Sequence, residues 1–395
     1  MPESTAKPDK KDARPLFSAI EEALGDIREG RIVILVDDED RENEGDFVMA
    51  AEKVTSEAIN FMTREGRGLV CLSLTPEKVD ALQLPMMVDH NRNGSSFGTQ
   101  FTVSIEAREG VTTGISAFDR AHTILTAIKP DASPSALVTP GHIFPLRSRP
   151  GGVLRRAGHT EGAVDLARLA GLQPSGVICE VMKEDGSMAR LSDLLEVAAK
   201  HNLTVVTIKD LIAYRMRHER LVERVEEVGL PTAYGNFRAV IYRNRATGRL
   251  HFALVAGDVE TDEPVLVRVQ PSHGIMDIFN LLRSDCTDRF RNALSAIQKE
   301  GRGALVFLHP DSMNEESPHS KGVPLPSDEK KEASPKPGPA SRLREYGIGA
   351  QILVDLGMRR IRIMTNEEWR LVALEGYGLQ LEERVPLELE TPLPS

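Results

Sequence analysis

Cysteine is scarce in this 395-residue chain: Cys71, Cys179 and Cys286 are the only three, and no two form a Cys-x-x-Cys pair. That usage suits a reducing cytoplasm better than a disulfide scaffold. Positive charge is short as well, with 49 Lys and Arg against 59 Asp and Glu and a net charge of −10. No basic stripe is visible, which argues against a partner held by its phosphate backbone and so against nucleic acid. No apolar stretch approaches the ~20 residues needed to cross a bilayer, so no membrane partner is expected. Residues 1–14 are polar and rich in Lys, Asp and Pro, with no apolar core for a signal peptide, and read as a disordered tail. The expectation is a soluble, cytoplasmic protein. With 41% hydrophobic residues it can bury substantial cores, and its length makes two domains the natural prior.

From Pro15, the residues Leu16, Phe17, Ile20, Leu24 and Ile27 recur at helical spacing and predict an amphipathic helix ending at Gly30. Further helices are predicted over 56–65, 77–83, 116–127, 160–170 and 192–201, and from Lys209. Strands are predicted over 32–36, 47–51, 69–74, 101–105, 141–147, 176–181 and 203–208. This alternation predicts an α/β domain ending near Arg220. A second domain follows near Leu230-Pro231-Thr232, with strands over 238–242, 251–255, 265–269, 304–307 and 361–365. Its helices are predicted over 275–282, 289–300 and 349–356. Residues 310–340, dense in Pro, Ser, Lys and Glu, read as a long flexible loop.

One stretch stands apart. After the β-branched run Ile32–Val36, seven carboxylates fall within Asp37–Asp46, offset only by Arg41. Carboxylates packed so closely repel one another, and one held out of water unpaired is costly. The loop is therefore either bathed in solvent or a site where a cation neutralises part of the charge. Loops leaving the ends of buried strands commonly bind ligands, and Gly45 stops a helix from starting there.

This stretch closely resembles the signature loop of 3,4-dihydroxy-2-butanone 4-phosphate synthase, an enzyme of riboflavin biosynthesis. The resemblance continues through Gly66-Arg67-Gly68-Leu69-Val70-Cys71, Phe101-Thr102-Val103 and Gly110-Val111-Thr112-Thr113-Gly114. It runs on through Gly141-His142-Ile143-Phe144-Pro145-Leu146, Arg156-Ala157-Gly158-His159-Thr160-Glu161 and Cys179-Glu180, in the family's order. It implies a lyase that converts ribulose 5-phosphate to the four-carbon phosphorylated ketone and formate. The implied fold is a three-layer α/β/α domain with a mixed sheet over 15–220. The chemistry needs a base beside the ketone, a Lewis acid, and an acid to remove hydroxide.

By the same resemblance Glu42 and His159 hold magnesium, and on donor type manganese serves as well. His142 and Glu180 move protons, with Cys71 a lesser contributor. Arg41, Glu42, Asp46, Thr112, Arg156, Ala157, Gly158, His159, Thr160 and Glu180 contact the substrate, Arg156 being suited to phosphate. Ala157 stands where the family often has glycine. Each residue has a plainer reading: His159 as a packed or capping histidine, His142 in a turn, Glu180 paired with an arginine, Cys71 in the core. The family is dimeric, which implies a homodimer with its sites near the subunit boundary.

The second half resembles GTP cyclohydrolase II, as a smaller α+β domain over 221–395. The matching pieces are Leu230-Pro231-Thr232, Gly301-Arg302-Gly303, Tyr346–Gln351 and Gly376-Tyr377-Gly378. That family binds zinc through three cysteines, where this chain offers His273, Ser284 and Cys286. Serine is a poor zinc ligand, so zinc is not expected here. A second Gly-Arg-Gly motif and its reactive segment give way to 310–340, and Glu367-Glu368 follows Thr365-Asn366 where Asn-Pro is usual. The expectation is a retained fold without the hydrolase chemistry, free to contact a nucleotide or a pathway enzyme. A bifunctional enzyme is the alternative.

Overall fold

A computed structural model of the chain describes residues 18–39, 41–89, 92–271, 288–309, 339–365 and 377–387. The expectations for 1–14, for a helix over 275–282, for His273, Ser284 and Cys286, for Glu367-Glu368 and for nearly all of 310–340 lie outside these residues. The chain divides into two compact units, Met1–Tyr214 and Arg215–Ser395. Among the described residues no helix is long and apolar enough to cross a membrane.

The first unit is built on a seven-stranded mixed sheet. Its strands are β1 (Val33–Val36), β2 (Gly45–Ala50), β3 (Cys71–Leu74), β4 (Ile105–Ala107), β5 (Leu137–Arg147), β6 (Ser175–Glu180) and β7 (Val205–Thr207). Their order across the sheet is β4-β5-β3-β6-β2-β1-β7. Parallel pairs β1/β7 and β3/β5 sit among antiparallel neighbours. Every residue of β1 and β2 is buried, as a strand covered on both faces requires. Helices α1 (Ser18–Arg28) and α5 (His159–Leu169) pack together, and α5 lies across β1, β2, β3 and β6. Side chains of α2 (Ser56–Phe61), α3 (Pro76–Ala81), α4 (Ala117–Ile128) and α6 (Leu191–His201) share a second core with Ile34, Phe47, Leu72 and Val177. α7 (Ile208–His218) follows β7. This is the three-layer α/β/α arrangement.

Local chemistry sets the elements. In α1, Ile20, Ala23, Leu24 and Ile27 recur at i, i+3, i+4, i+7 and are all buried. Thr55, Thr75 and Ser116 each accept a backbone N–H at a helix start, at 3.1, 3.3 and 3.0 Å. One expectation fails: 101–105 is not a strand. Phe101 and Thr102 make only isolated bridges, and β4 begins at Ile105. Opposite them stands Pro145, which has no N–H to return. The Thr102 amide and hydroxyl both donate to its carbonyl, at 3.0 and 3.2 Å.

The second unit carries its own seven-stranded sheet, in the order β14-β13-β11-β12-β10-β9-β8. The strands are β8 (Val222–Thr232), β9 (Gly235–Asn244), β10 (Leu250–Ala256), β11 (Val265–Pro271), β12 (Gly303–Leu308), β13 (Arg360–Met364) and β14 (Gln380–Val385). Helix α8 (Asp288–Glu300) packs on β11 and β12, and α9 (Pro339–Asp355) packs on β12. α9 begins at Pro339, so the last two residues of the expected 310–340 loop are helical, proline fitting a first helical turn. β8 and β14 were not expected as strands: they are edge strands with mostly exposed side chains and lack an alternating apolar signal.

Candidate active site

Strand register gathers the acidic residues at one end of the first sheet. β1 and β2 pair antiparallel from Val33↔Val48 to Val36↔Gly45, so the loop between them leaves that end. Asp46 opposes Glu180, and Cys71 opposes both Ile178 and Phe144. The N-terminal ends of β2 and β3 and the C-terminal ends of β1 and β6 therefore coincide. Phe47, Leu72 and Cys179 belong to the core shared with α2 and α4. By the two-residue period, Asp46, Cys71 and Glu180 point to the other face, where α5 starts with His159.

Asp37 organises the loop. Its carboxylate accepts the Glu44 N–H at 2.9 Å, the Glu42 N–H at 3.1 Å and Arg41 Nη1 at 2.6 Å. The same Nη1 donates to Glu42 Oε2 at 2.7 Å, and the guanidinium lies 4.8 Å from the centre of the Phe97 ring. Just before α6, Arg190 donates to the carbonyls of Glu42 and Asn43. Among the described residues of the loop, Asp37 and Asp46 are buried and Glu42 half-buried, whereas Glu39 is exposed.

His159 closes the site, with Nδ1 3.5 Å from Glu42 and 3.9 Å from Asp46. Burial disfavours its charged form, but Asp46 and the contact with Glu42 outweigh that and raise it to about 9. Burial also works against the Glu42 carboxylate, yet His159 and Arg41 hold it at about 2. Asp46, fully enclosed, is pushed up to about 7 by burial, which its attraction to His159 only partly offsets. Ligand atoms of Asp37, Glu42 and His159 lie within 4.8 Å of one another. Two hard oxygens and one imidazole suit a divalent cation. Among the described residues, the buried His159 Nε2 meets no hydrogen-bond partner.

The remaining predicted residues divide. Glu180 takes the Leu69 N–H at 2.8 Å instead of an arginine. Cys71 is buried, and desolvation with the nearby Glu180 and Asp46 charges lifts its thiol well above the usual range. Arg156 donates to Phe97 O at 3.0 Å, Glu161 Oε2 at 2.5 Å and Thr99 Oγ1 at 2.8 Å. Gly158 allows this: a Cβ there would lie 2.3 Å from Arg156 Nη1. Ala157 is half-buried beside it, and Thr160 is buried in the first turn of α5.

His142 and Thr112 gather elsewhere. His142 Nδ1 lies 2.6 Å from Glu106 Oε2, and Thr112 donates its N–H and hydroxyl to Asp119 at 3.1 and 2.7 Å. β5 stands three places from β2 in the sheet, about 14 Å at the usual strand spacing. The structure thus holds an acidic centre and a histidine centre on one sheet. Asp37, Glu106, Asp119, Glu161 and Arg190 were not singled out from the sequence. Asp37 lay within the acidic run and Glu161 within the Arg156–Glu161 motif; for the others only the fold supplies the signal.

Known proteins were compared with the chain. The family model described as 3,4-dihydroxy-2-butanone 4-phosphate synthase matches residues 21–214, and that described as GTP cyclohydrolase II matches 223–386. Riboflavin biosynthesis protein RibBA of Aquifex aeolicus is 54% identical over 380 residues, spanning 95% of this chain and 93% of its own. The protein of that name from Chlorobium phaeovibrioides is 52% identical over 378 residues, spanning 95% and 92%. Among solved structures, RibBX from A. baumannii, described as a two-domain 3,4-dihydroxy-2-butanone 4-phosphate synthase, superposes with a TM-score of 0.76. It is 42% identical and covers 93% of this chain and 99% of its own.

Proposed function

From the premise that the chain belongs to the family joining a 3,4-dihydroxy-2-butanone 4-phosphate synthase domain to a GTP cyclohydrolase II domain, we propose how its two halves divide the work. Residues 15–220 take ribulose 5-phosphate to the four-carbon ketone phosphate and formate, with Glu42 and His159 holding magnesium or manganese. The observation that carries this is the inward-folded loop, which sets Asp37, Glu42 and His159 within 4.8 Å of one another. The field that keeps a proton on His159 would equally favour a divalent cation beside it. Such a cation supplies polarisation of substrate oxygens.

The protein's own groups do the rest. Glu180 faces Asp46 across the strand pair and has an oxygen fixed by Leu69. His142 supplies a second proton-transfer group. Cys71, held as a thiol, shapes the site instead of attacking. Arg41 bridges Asp37 and Glu42, and Arg156, Ala157, Gly158 and Thr160 line the start of α5, where an anion is favoured. The separation between the two centres and the exposed Leu69, Ile115 and Phe118 support a homodimer with its sites near the subunit boundary. The cysteine usage supports a cytoplasmic setting.

For residues 221–395 the proposal is a fold without GTP hydrolysis and without zinc, supported by Ser284 in place of a thiolate. The match of the GTP cyclohydrolase II model over 223–386 favours a second reading, in which the hydrolase persists. Formate release from ribulose 5-phosphate and from GTP, each with and without chelator, decides both. The expected result is release from the sugar phosphate alone, restored by magnesium or manganese. Zinc-dependent release from GTP would make the enzyme bifunctional, and no release from ribulose 5-phosphate would remove the synthase reading.

A further inference from the structure

Two arginines of the site meet one turn. Arg156 donates its Nε–H to the Phe97 carbonyl at 3.0 Å, Nη2 to Thr99 Oγ1 at 2.8 Å and Nη1 to Glu161 Oε2 at 2.5 Å. Arg41, on the acidic loop, lies 4.8 Å from the centre of the Phe97 ring. Residues 97–99 therefore touch both the loop that carries Glu42 and the segment that leads into α5.

The turn is built to hold that place. Asn93 Oδ1 accepts the Ser95 N–H at 3.0 Å, and Asn93 Nδ2 donates to the Thr99 carbonyl at 3.0 Å. Ser95 Oγ accepts the Thr99 N–H at 3.2 Å, and the Ser95 carbonyl accepts the Gly98 N–H at 3.0 Å. Gly98 has a φ of +66°, where a side chain would be strained. The next residue is tied to β5, the Arg147 N–H donating to the Gln100 carbonyl at 2.9 Å. Phe97 itself is 42% exposed, so its ring is not there to fill the core.

These contacts leave part of each guanidinium over. Arg41 uses Nη1 on both Asp37 Oδ2 and Glu42 Oε2, at 2.6 and 2.7 Å, which leaves Nε and Nη2. Arg156 engages one hydrogen on each nitrogen, which leaves one on each terminal nitrogen. A guanidinium stacked on an aromatic face has its plane fixed, so the ring decides where the remaining donors aim.

We propose that the 93–99 turn clips these two arginines together and that Phe97 is a positioning residue. Its ring fixes the plane of Arg41, while its carbonyl and the Thr99 hydroxyl fix Arg156. The remaining N–H groups of both are thereby presented together to an anionic substrate. The effect on turnover rests on the synthase reading; the contacts do not.

The test uses the full-length protein. Phe97→Leu keeps the carbonyl and removes the ring, Phe97→Tyr keeps both, and Thr99→Val removes an acceptor from Arg156. Phe97→Leu is expected to raise KM for ribulose 5-phosphate by about tenfold with kcat within about threefold, and Phe97→Tyr to stay within about twofold of wild type. Inorganic phosphate, used as a competitive inhibitor, reads Arg156, and Thr99→Val is expected to weaken it by about fivefold. With nitrogen-15 arginine, the Arg41 Nε–H signal, assigned through Arg41→Lys, is expected to be shifted upfield by the ring and to lose that shift in Phe97→Leu. An unshifted wild-type signal would overturn the proposal, and that spectrum decides even where a variant misfolds. A Phe97→Tyr enzyme as impaired as Phe97→Leu would overturn it too, as would unchanged phosphate inhibition in Thr99→Val. A lower melting transition in Phe97→Leu with KM unchanged would assign the ring a merely structural role. A wild type that makes no formate from ribulose 5-phosphate, yet shows the shifted signal, would remove the synthase reading and leave the clip intact.

Discussion

Replacing Gly68 by alanine tests the placement of Glu180 without touching Glu180. The added Cβ would lie 2.5 Å from the Glu180 carbonyl oxygen, 2.6 Å from its Oε2 and 2.7 Å from its amide nitrogen. Two of those atoms are main chain of β6, so the strand end must shift, and Asp46 opposite shifts with it. The adjacent bond from the Leu69 N–H to Glu180 Oε2, 2.8 Å long, is lost or stretched. Overpacking of this kind costs about 1–3 kcal/mol. A hydrogen bond to a charged group contributes about 1.5–3 kcal/mol, and neighbouring effects do not simply add. A loss near 3 kcal/mol corresponds to about 6–12 °C in the transition of a unit this size, readable by calorimetry. Displacement of an acting group by about 1 Å lowers turnover by about 10²-fold. Should Gly68→Ala melt and turn over like the wild type, Glu180 is not held as described and the reasoning fails.

Glu42→Ala and His159→Ala are each expected to lower formate release from ribulose 5-phosphate by about 10³-fold, with the circular dichroism spectrum unchanged. Rates near wild type in both would remove the cation from the reading. Cys71→Ser is expected to stay within about tenfold of wild type, because the buried thiol holds its proton and offers no thiolate to lose. A far larger loss, with the fold intact by calorimetry, would give the sulfur a direct part. Arg190→Ala removes the donors to the Glu42 and Asn43 carbonyls and should weaken manganese binding by about tenfold, measured by titration calorimetry. Unchanged affinity would mean that Asp37 alone fixes the loop.

Much of the fold was legible because burial follows period. α1, β1 and β2 carry their apolar residues at the spacing their geometry demands, and all three form where expected. The exceptions have physical reasons. Residues 101–105 alternate like a strand, but Pro145 opposite cannot complete a ladder. Edge strands β8 and β14 leave most side chains in water, so they lack the apolar contrast that marks a strand. At the site, the acidic run drew attention by charge density, and its inward fold depends on Asp37 receiving two backbone N–H groups from its own loop. Arg190 could not be found that way, since it reaches the loop from the position before α6, 147 residues beyond Asn43.

The order of residues by itself determined that two compact units would form, that one would hold a carboxylate-rich loop, and which imidazoles and acids were chemically able to work there. Only tertiary structure decided how those groups are paired. Register set Asp46 against Glu180, the start of α5 brought His159 to Glu42, and β4 gave His142 its carboxylate. The reason is one of range. Helix and strand preferences act over a few neighbours, whereas a buried charge is settled by whatever partner the folded chain delivers within a few ångströms.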